Sequence, residues 1–318
     1  MGEQIDMRAL ITGGAGFIGS NIVPLLLENH WQVTVLDNLS SGYECNIDNY
    51  LRDGRINFIN GDVCNPVNID NALNNVDVVF HLAACVGRQK SIDNPVLDST
   101  TNLIGTIYLL ESMRKHGIKR IVYSSSAAIF GELLTPTINE NHPQNADSPY
   151  GVSKLAAEKM ILAYSGLYGI TAICLRYFNI YGINQRFDVY GNVIPIFARR
   201  LYSHEPITIY GDGKQTRDFV NVSDVARANY LAATAAKTTA VYNLGSGNSI
   251  SIQRLADMMQ EITGLKSDIH YGPERLADVK HCKADIQKIK NELGFYTTVS
   301  LDEGLREYLN WFSINFVD

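Results

Sequence analysis

Apolar residues in the first half of the chain fall into two alternating patterns. Short continuous runs at 7–11, 32–36, 56–59, 76–80, 119–124 and 171–176 predict buried strands. Between them, 17–29, 67–73, 96–115 and 150–167 carry apolar positions at helical spacing and predict amphipathic helices. Strands that alternate with helices predict an α/β fold, a doubly wound parallel sheet with helices on both faces. In such a sheet ligands bind outside the carboxyl ends of the strands.

The second half is more broken. Pro195, Pro206 and Pro273 punctuate it, and Gly211-Asp212-Gly213 reads as a turn. Helices are predicted at 194–203, 223–236, 252–263, 285–293 and 301–313. The expectation is a larger nucleotide-binding unit over 1–178, to which parts of 213–246 return, and a smaller α/β substrate-binding lobe over 179–318. No repeat, low-complexity tract or flexible linker separates them, so the two should form one rigid body.

Candidate chemistry sits where the strands end. Thr12-Gly13-Gly14-Ala15-Gly16-Phe17-Ile18-Gly19 lies between the first strand and the first helix. Glycines there let the backbone turn sharply and approach a pyrophosphate, which rests on the helix N-terminus. The second strand ends at Asp37, whose carboxylate can accept hydrogen bonds from both hydroxyls of an adenosine ribose and repels a 2′-phosphate. These features predict a Rossmann-type domain that takes NAD rather than NADP. Further on, Tyr150 and Lys154 lie four residues apart, on one face of a helix. An ammonium beside a phenol favours the phenolate and is expected to lower the Tyr150 pKa towards neutrality. The run Ser124-Ser125-Ser126 at a strand end can supply a hydroxyl to share the proton. Together these groups suit removal of a proton from an alcohol as hydride leaves its carbon.

Composition narrows the partners. The chain has 318 residues, 46% of them apolar, and a formal net charge of −6 without a basic block, which disfavours nucleic acid. No apolar run approaches the length needed to span a bilayer, and the N-terminus, with Glu3 and Asp6, does not read as a signal peptide. The five cysteines, Cys45, Cys64, Cys85, Cys174 and Cys282, are scattered without a C-x-x-C pair, which fits a reducing cytoplasm. The seven histidines show no metal-ligand spacing, and no metal site is predicted.

The motifs TGGAGFIGS, VTVLDNLSSG, GDV at 61–63, HLAA at 81–84, YSSSAAIFGE, SPYGVSK, LRYFNIYG at 175–182 and IYGDGKQTRDFVNVSDVA at 209–226 follow in that order. In them the chain resembles the extended short-chain dehydrogenase/reductases, and among these the nucleotide-sugar epimerases and dehydratases of the UDP-glucose 4-epimerase type. The resemblance implies Tyr150 as catalytic base, Lys154 as its partner and a ligand of the nicotinamide ribose, and Ser126 as the hydroxyl that orients the sugar. It implies NAD contacts at Gly13, Gly16, Phe17, Ile18, Gly19, Asp37, Asn38, Leu82, Ala83, Ala84, Ser124 and Tyr177. Asp62 and Val63 would cradle the adenine, and Asn102 would be a supporting amide. A UDP-sugar would meet Ser125, Ser126, Cys85, Asn179, Val193, Arg217, Arg275, Asp278 and Cys282. Arginines suit the diphosphate because they offer fixed bidentate donors; the alternative for Arg217 and Arg275 is a surface salt bridge, to Asp218 or Asp278.

The activity implied is oxidation at C4 to a 4-keto sugar, rotation of the sugar and return of the hydride to the other face. Relatives that dehydrate carry an Asp-Glu pair after the serine run, and decarboxylating relatives carry Glu at the first of those places. Here the positions are Ala127 and Ala128, which points to simple 4-epimerisation. Phe130 and Ala277 depart from the family's usual Tyr and Gly, and Cys85 is either packing or an acid or base on a modified sugar. Cys282, small where the family gates the sugar pocket, implies that UDP-GlcNAc and UDP-GalNAc are accepted. Rival readings are a 5,6-dehydratase, a 5-position epimerase or isomerase, a uronate 4-epimerase, a dehydrogenase that releases NADH, and a non-catalytic NAD-binding protein. By the same analogy, the helices at 96–115 and 150–167 would pair two chains into a homodimer.

Overall fold

The computed structural model describes residues 7–187, 191–274 and 280–317. Its centre is a seven-stranded, all-parallel sheet. The strands are β1 (Arg8–Thr12), β2 (Gln32–Asp37), β3 (Ile56–Asn60), β4 (Val78–His81), β5 (Arg120–Ser126), β6 (Thr171–Tyr177) and β7 (Ala240–Leu244). Six of the seven were expected from apolar runs. The seventh comes from the region 213–246 and pairs with β6, Ala240 opposite Ile173 and Leu244 opposite Tyr177. The spatial order is β7-β6-β5-β4-β1-β2-β3. Strand order therefore reverses at β1, and the crevice between β1 and β4 is the topological switch point where ligands bind in such sheets.

Side chains alternate across the pleat and feed two separate cores. Ala9, Ile11, Val78, Phe80, Ile173 and Leu175 face one layer, which contains helices α1 (Phe17–Glu28) and α4 (Val222–Thr234). Leu10, Val79, Ala172 and Cys174 face the other, under α2 (Gly105–His116) and α3 (Pro149–Tyr168). A third core joins the helices Val193–Tyr202, Ile252–Thr263 and Leu301–Phe316. A small fourth cluster of Ile129, Phe130, Ile138, Phe178, Cys282 and Ala284 lies between these parts.

The helix expected at 96–115 is interrupted. It runs as Pro95–Ser99, a π turn over Thr100–Ile104, and then α2. Such a turn adds a residue to the helical repeat and re-aims the side chains around it. A short helix, Arg88–Asp93, and a 3₁₀ turn, Ala127–Phe130, were not foreseen.

Candidate active site

The glycine loop turns as expected. Gly13 has a φ of 71°, and a Cβ at Gly19 would stand 2.4 Å from the Gly13 carbonyl oxygen. No side chain caps the N-terminus of α1, and its first turn holds no acidic residue. The dipole end of that helix is thus presented at the switch point without a competing carboxylate, as a pyrophosphate requires. At the end of β2, Asp37 accepts from Ala15 N–H at 3.0 Å and Leu39 N–H at 2.8 Å. Burial raises its pKa, and these backbone donors oppose the rise. Asn38 donates to Asp62 at 2.9 Å, which ties the ends of β2 and β3 together. Val63 is buried against Gly105.

His81 is fully buried at the end of β4. Its Nδ1 lies 2.7 Å from Thr12 Oγ1 and its Nε2 2.9 Å from Thr106 Oγ1. Thr106 spends its own proton on the Asn102 carbonyl at 2.6 Å. Its oxygen must therefore accept from Nε2–H, and the Thr12 hydroxyl donates to Nδ1. Burial holds this imidazole neutral, with a pKa near about 3. Asn102 continues the network. Its Oδ1 accepts from Cys85 N–H at 2.8 Å, and its Nδ2 donates to the Cys85 carbonyl at 3.1 Å. The amide thus fixes the backbone that carries Cys85, a thiol 8% exposed whose pKa burial raises.

Helix α3 brings the reacting groups to this floor. Ser148 caps it by accepting from Gly151 N–H, and Pro149 occupies its first turn. A Cβ on Gly151 would lie 2.5 Å from the Ala128 carbonyl, so the helix starts hard against the 3₁₀ turn that follows Ser126. That contact sets Tyr150 beside Ser126, whose hydroxyl pulls the Tyr150 pKa down. Lys154 is 2% exposed, with its Nζ 4.5 Å over the ring of Tyr123. Its pKa falls to about 7, above all because burial penalises the ammonium.

The expected lowering of the Tyr150 pKa is not found in this state. Burial pushes the phenol up to about 12, the Ser126 bond pulls it down, and Asp98 and Cys85 push it up. Sequence spacing shows the neighbour but not the desolvation.

Other expected residues are placed differently in detail. The Ser125 hydroxyl is turned away, donating at 2.6 Å to Glu158. Glu158 in turn forms a fully buried ion pair with Arg176, at 2.7 and 3.1 Å. Ser124 donates to the His81 carbonyl. Tyr177 is buried and donates to Asn229 at 3.0 Å, so its hydroxyl is engaged within the core. Asn179 is held by its Nδ2 on the Asp218 carbonyl, and Val193 begins the helix Val193–Tyr202. Arg217 donates to the Thr216 carbonyl at 2.9 Å, and the same carbonyl accepts from Cys282 N–H at 3.3 Å. Cys282 is 8% exposed, and burial raises its thiol pKa to about 11. Arg275, Ala277 and Asp278 lie outside the described residues. Among the described residues no group of three or more His, Cys, Asp or Glu could hold a metal.

Sequence reasoning missed Glu158, Arg176, Asp98 and Ser153. Glu158 carried a signal, since it continues the 150–154 face by one more turn.

Residues 9–245 match the NAD dependent epimerase/dehydratase family. The chain belongs to that family. A putative UDP-glucose 4-epimerase of Methanocaldococcus jannaschii is 40% identical over 96% of this chain and 98% of that protein. A dTDP-glucose 4,6-dehydratase of an Actinoplanes species is 33% identical over 97% of this chain and 98% of that protein. The solved UDP-N-acetylglucosamine 4-epimerase from Methanobrevibacter ruminantium M1, in complex with UDP-N-acetylmuramic acid, superposes with a TM-score of 0.93 at 33% identity. That match covers 98% of this chain and 99% of that one. Like its family, this chain is an NAD-dependent enzyme. The uncapped α1, the close glycine turn and the buried Asp37 carboxylate fit that cofactor.

Proposed function

We propose that this family member is a 4-epimerase of UDP-hexoses that also accepts UDP-GlcNAc and UDP-GalNAc. The observation that carries the reading is the start of α3 against the turn after Ser126, which puts Tyr150 beside that serine, with two alanines, Ala127 and Ala128, directly following it. The hydroxyl pair suits proton exchange with an alcohol, and the alanines stand where dehydrating and decarboxylating relatives carry their acid or base.

Tyr150 takes the proton of the C4 hydroxyl and later returns it. Ser126, fixed at the end of β5, holds that oxygen in line by hydrogen bonding. Lys154, one turn on along α3, is the positive charge that would favour the phenolate of Tyr150 in the reaction. Gly13 to Gly19, Asp37 and Asp62 would hold NAD, which would supply a hydride acceptor for C4 and positive charge beside the phenol. Arg217 and Asn179 hold the diphosphate, while the sugar is left free to turn over. Cys282, among Phe130, Phe178 and Ala284, leaves room for an N-acetyl group at C2.

Two further parts of the reading rest on the surface and on the thiols. Val96, Leu97, Ile104, Tyr108 and Val152 are exposed apolar side chains on the 95–116 segment and α3, a face suited to pairing with a second copy. All five cysteines are free thiols, in keeping with a reducing cytoplasm. No described helix is long and apolar enough to cross a membrane.

The test is proton NMR in deuterated buffer, without added cofactor, on UDP-GlcNAc and separately on UDP-glucose. A galacto product without ring deuterium is expected from both. Conversion of UDP-glucose alone would remove the Cys282 part of the reading. Deuterium at C5 with altered C6 signals would replace epimerisation by dehydration or 5-position chemistry.

A further inference from the structure

Lys154 occupies a setting hostile to charge. It is almost wholly buried, and its ammonium faces the ring of Tyr123. The titratable groups around it come from every packed element. His81 on β4 is held neutral, and Tyr123 on β5 and Cys174 on β6 are held protonated by burial. Tyr150 and Glu158 share its own helix, and Asp98 stands on the short helix Pro95–Ser99.

The two carboxylates differ in their company. Glu158 gives both oxygens to the Arg176 guanidinium, and its charge is cancelled there. Asp98 is equally buried but is bonded only to neutral donors, the Ser153 hydroxyl at 2.5 Å and the Asn102 amide at 3.0 Å. Ser153 adjoins Lys154, and its hydroxyl also lies 3.1 Å from the Tyr150 carbonyl. Ser153, the residue before Lys154, thus ties Asp98 to α3, and Lys154 pulls the Asp98 pKa down against the effect of burial. Asp98 and Asn102, four residues apart, share one inward face of this helical segment.

We propose that Asp98 is a positioning residue, the carboxylate that keeps buried Lys154 in its ammonium form for the Tyr150 reaction. A buried charge with neutral bonding partners is tolerated when an opposite charge lies nearby, and Asp98 and Lys154 are both buried and linked through Ser153, the neighbour of Lys154 on α3. Burial pulls the Lys154 pKa down, and Asp98 is the foremost group opposing this. The proposal rests on the reading of Tyr150 and Lys154 as the reacting pair.

The experiment follows the ionisation of Lys154 directly. Protein carrying ¹³C-labelled lysine, free of cofactor, is titrated by NMR, and the Lys154 signal is assigned by its loss in Lys154→Met. Asp98→Asn, nearly isosteric, should lower the midpoint by about one pH unit or more. Asp98→Ser, which leaves room for water, is measured beside it in case the amide destabilises the fold. Ser153→Ala keeps the carboxylate and should leave the midpoint close to that of the wild type. In kcat/KM profiles Asp98→Asn should then lose activity chiefly at the alkaline end. An unmoved midpoint, or a fall in rate uniform across pH, would reduce Asp98 to a structural residue. A lowered midpoint in a protein that converts no nucleotide sugar would leave Asp98 in this role and overturn the epimerase reading instead.

Discussion

On the sheet side of the candidate site, polar groups are buried and partnered, whereas the cluster around Cys282 is built of small and apolar residues. His81, Asn102, Ser125 and Glu158 each have their hydrogen bonds made within the protein. Cys282 sits instead among Ile129, Phe130, Phe178 and Ala284. The difference follows what each side must do. Proton and hydride transfer need groups fixed to a fraction of an ångström, which partnered polar groups provide. On the proposed reading, a sugar that must present both faces would need a wall that holds shape without holding orientation.

The largest effect should come from breaking the sheet side at its centre. Tyr150→Phe is expected to lower turnover by about 10²–10⁴-fold while bound NAD is retained, as cofactor content and progress curves would show. A variant with unchanged turnover would move the base elsewhere. Next comes Glu158→Ala, which strands the buried Arg176 charge. A loss of about 3–5 kcal/mol in urea unfolding is expected, and a loss below about 1 kcal/mol would mean that water relieves the site.

On the lobe side the effect should be selective rather than global. Cys282→Tyr should cost about tenfold or more on UDP-GlcNAc and leave UDP-glucose nearly untouched, since steric exclusion acts only on the larger sugar. Equal loss on both would show that the residue does not gate the pocket.

The smallest effect concerns pH. His81 has a folded pKa near about 3, against an ordinary value of 6.5. Below the ordinary value the unfolded chain binds a proton that the folded chain refuses. Stability contributed by the neutral ring is therefore full above about pH 6.5 and is lost as pH falls towards 3. His81→Gln should flatten the dependence of the urea midpoint on pH in that window, whatever it does to the midpoint itself.

The sheet side was largely legible in the sequence, because strands, glycine turns and helix faces are local patterns. Six central strands and the principal helices lie within about two residues of their expected places. The short strand Ala240–Leu244 was not resolved as an element, since its apolar run is brief and lies among helices. The buried charges were illegible for another reason. Glu158 looks like an ordinary helix-surface residue until β6 brings Arg176 against it. Tyr150 shows the same limit, for its neighbour Lys154 is written in the sequence and its desolvation is not.

The position of β7 also bears on how the chain is made. Its strand is synthesised after the intervening helix Val193–Tyr202 and α4, yet it closes the edge of β6. During translation the backbone groups of β6 on that side stay unpaired, next to the apolar Ile173 and Leu175. A nascent chain halted before residue 240 would expose a sticky parallel edge, so pauses in that stretch should recruit chaperones, whereas pauses after 244 should not.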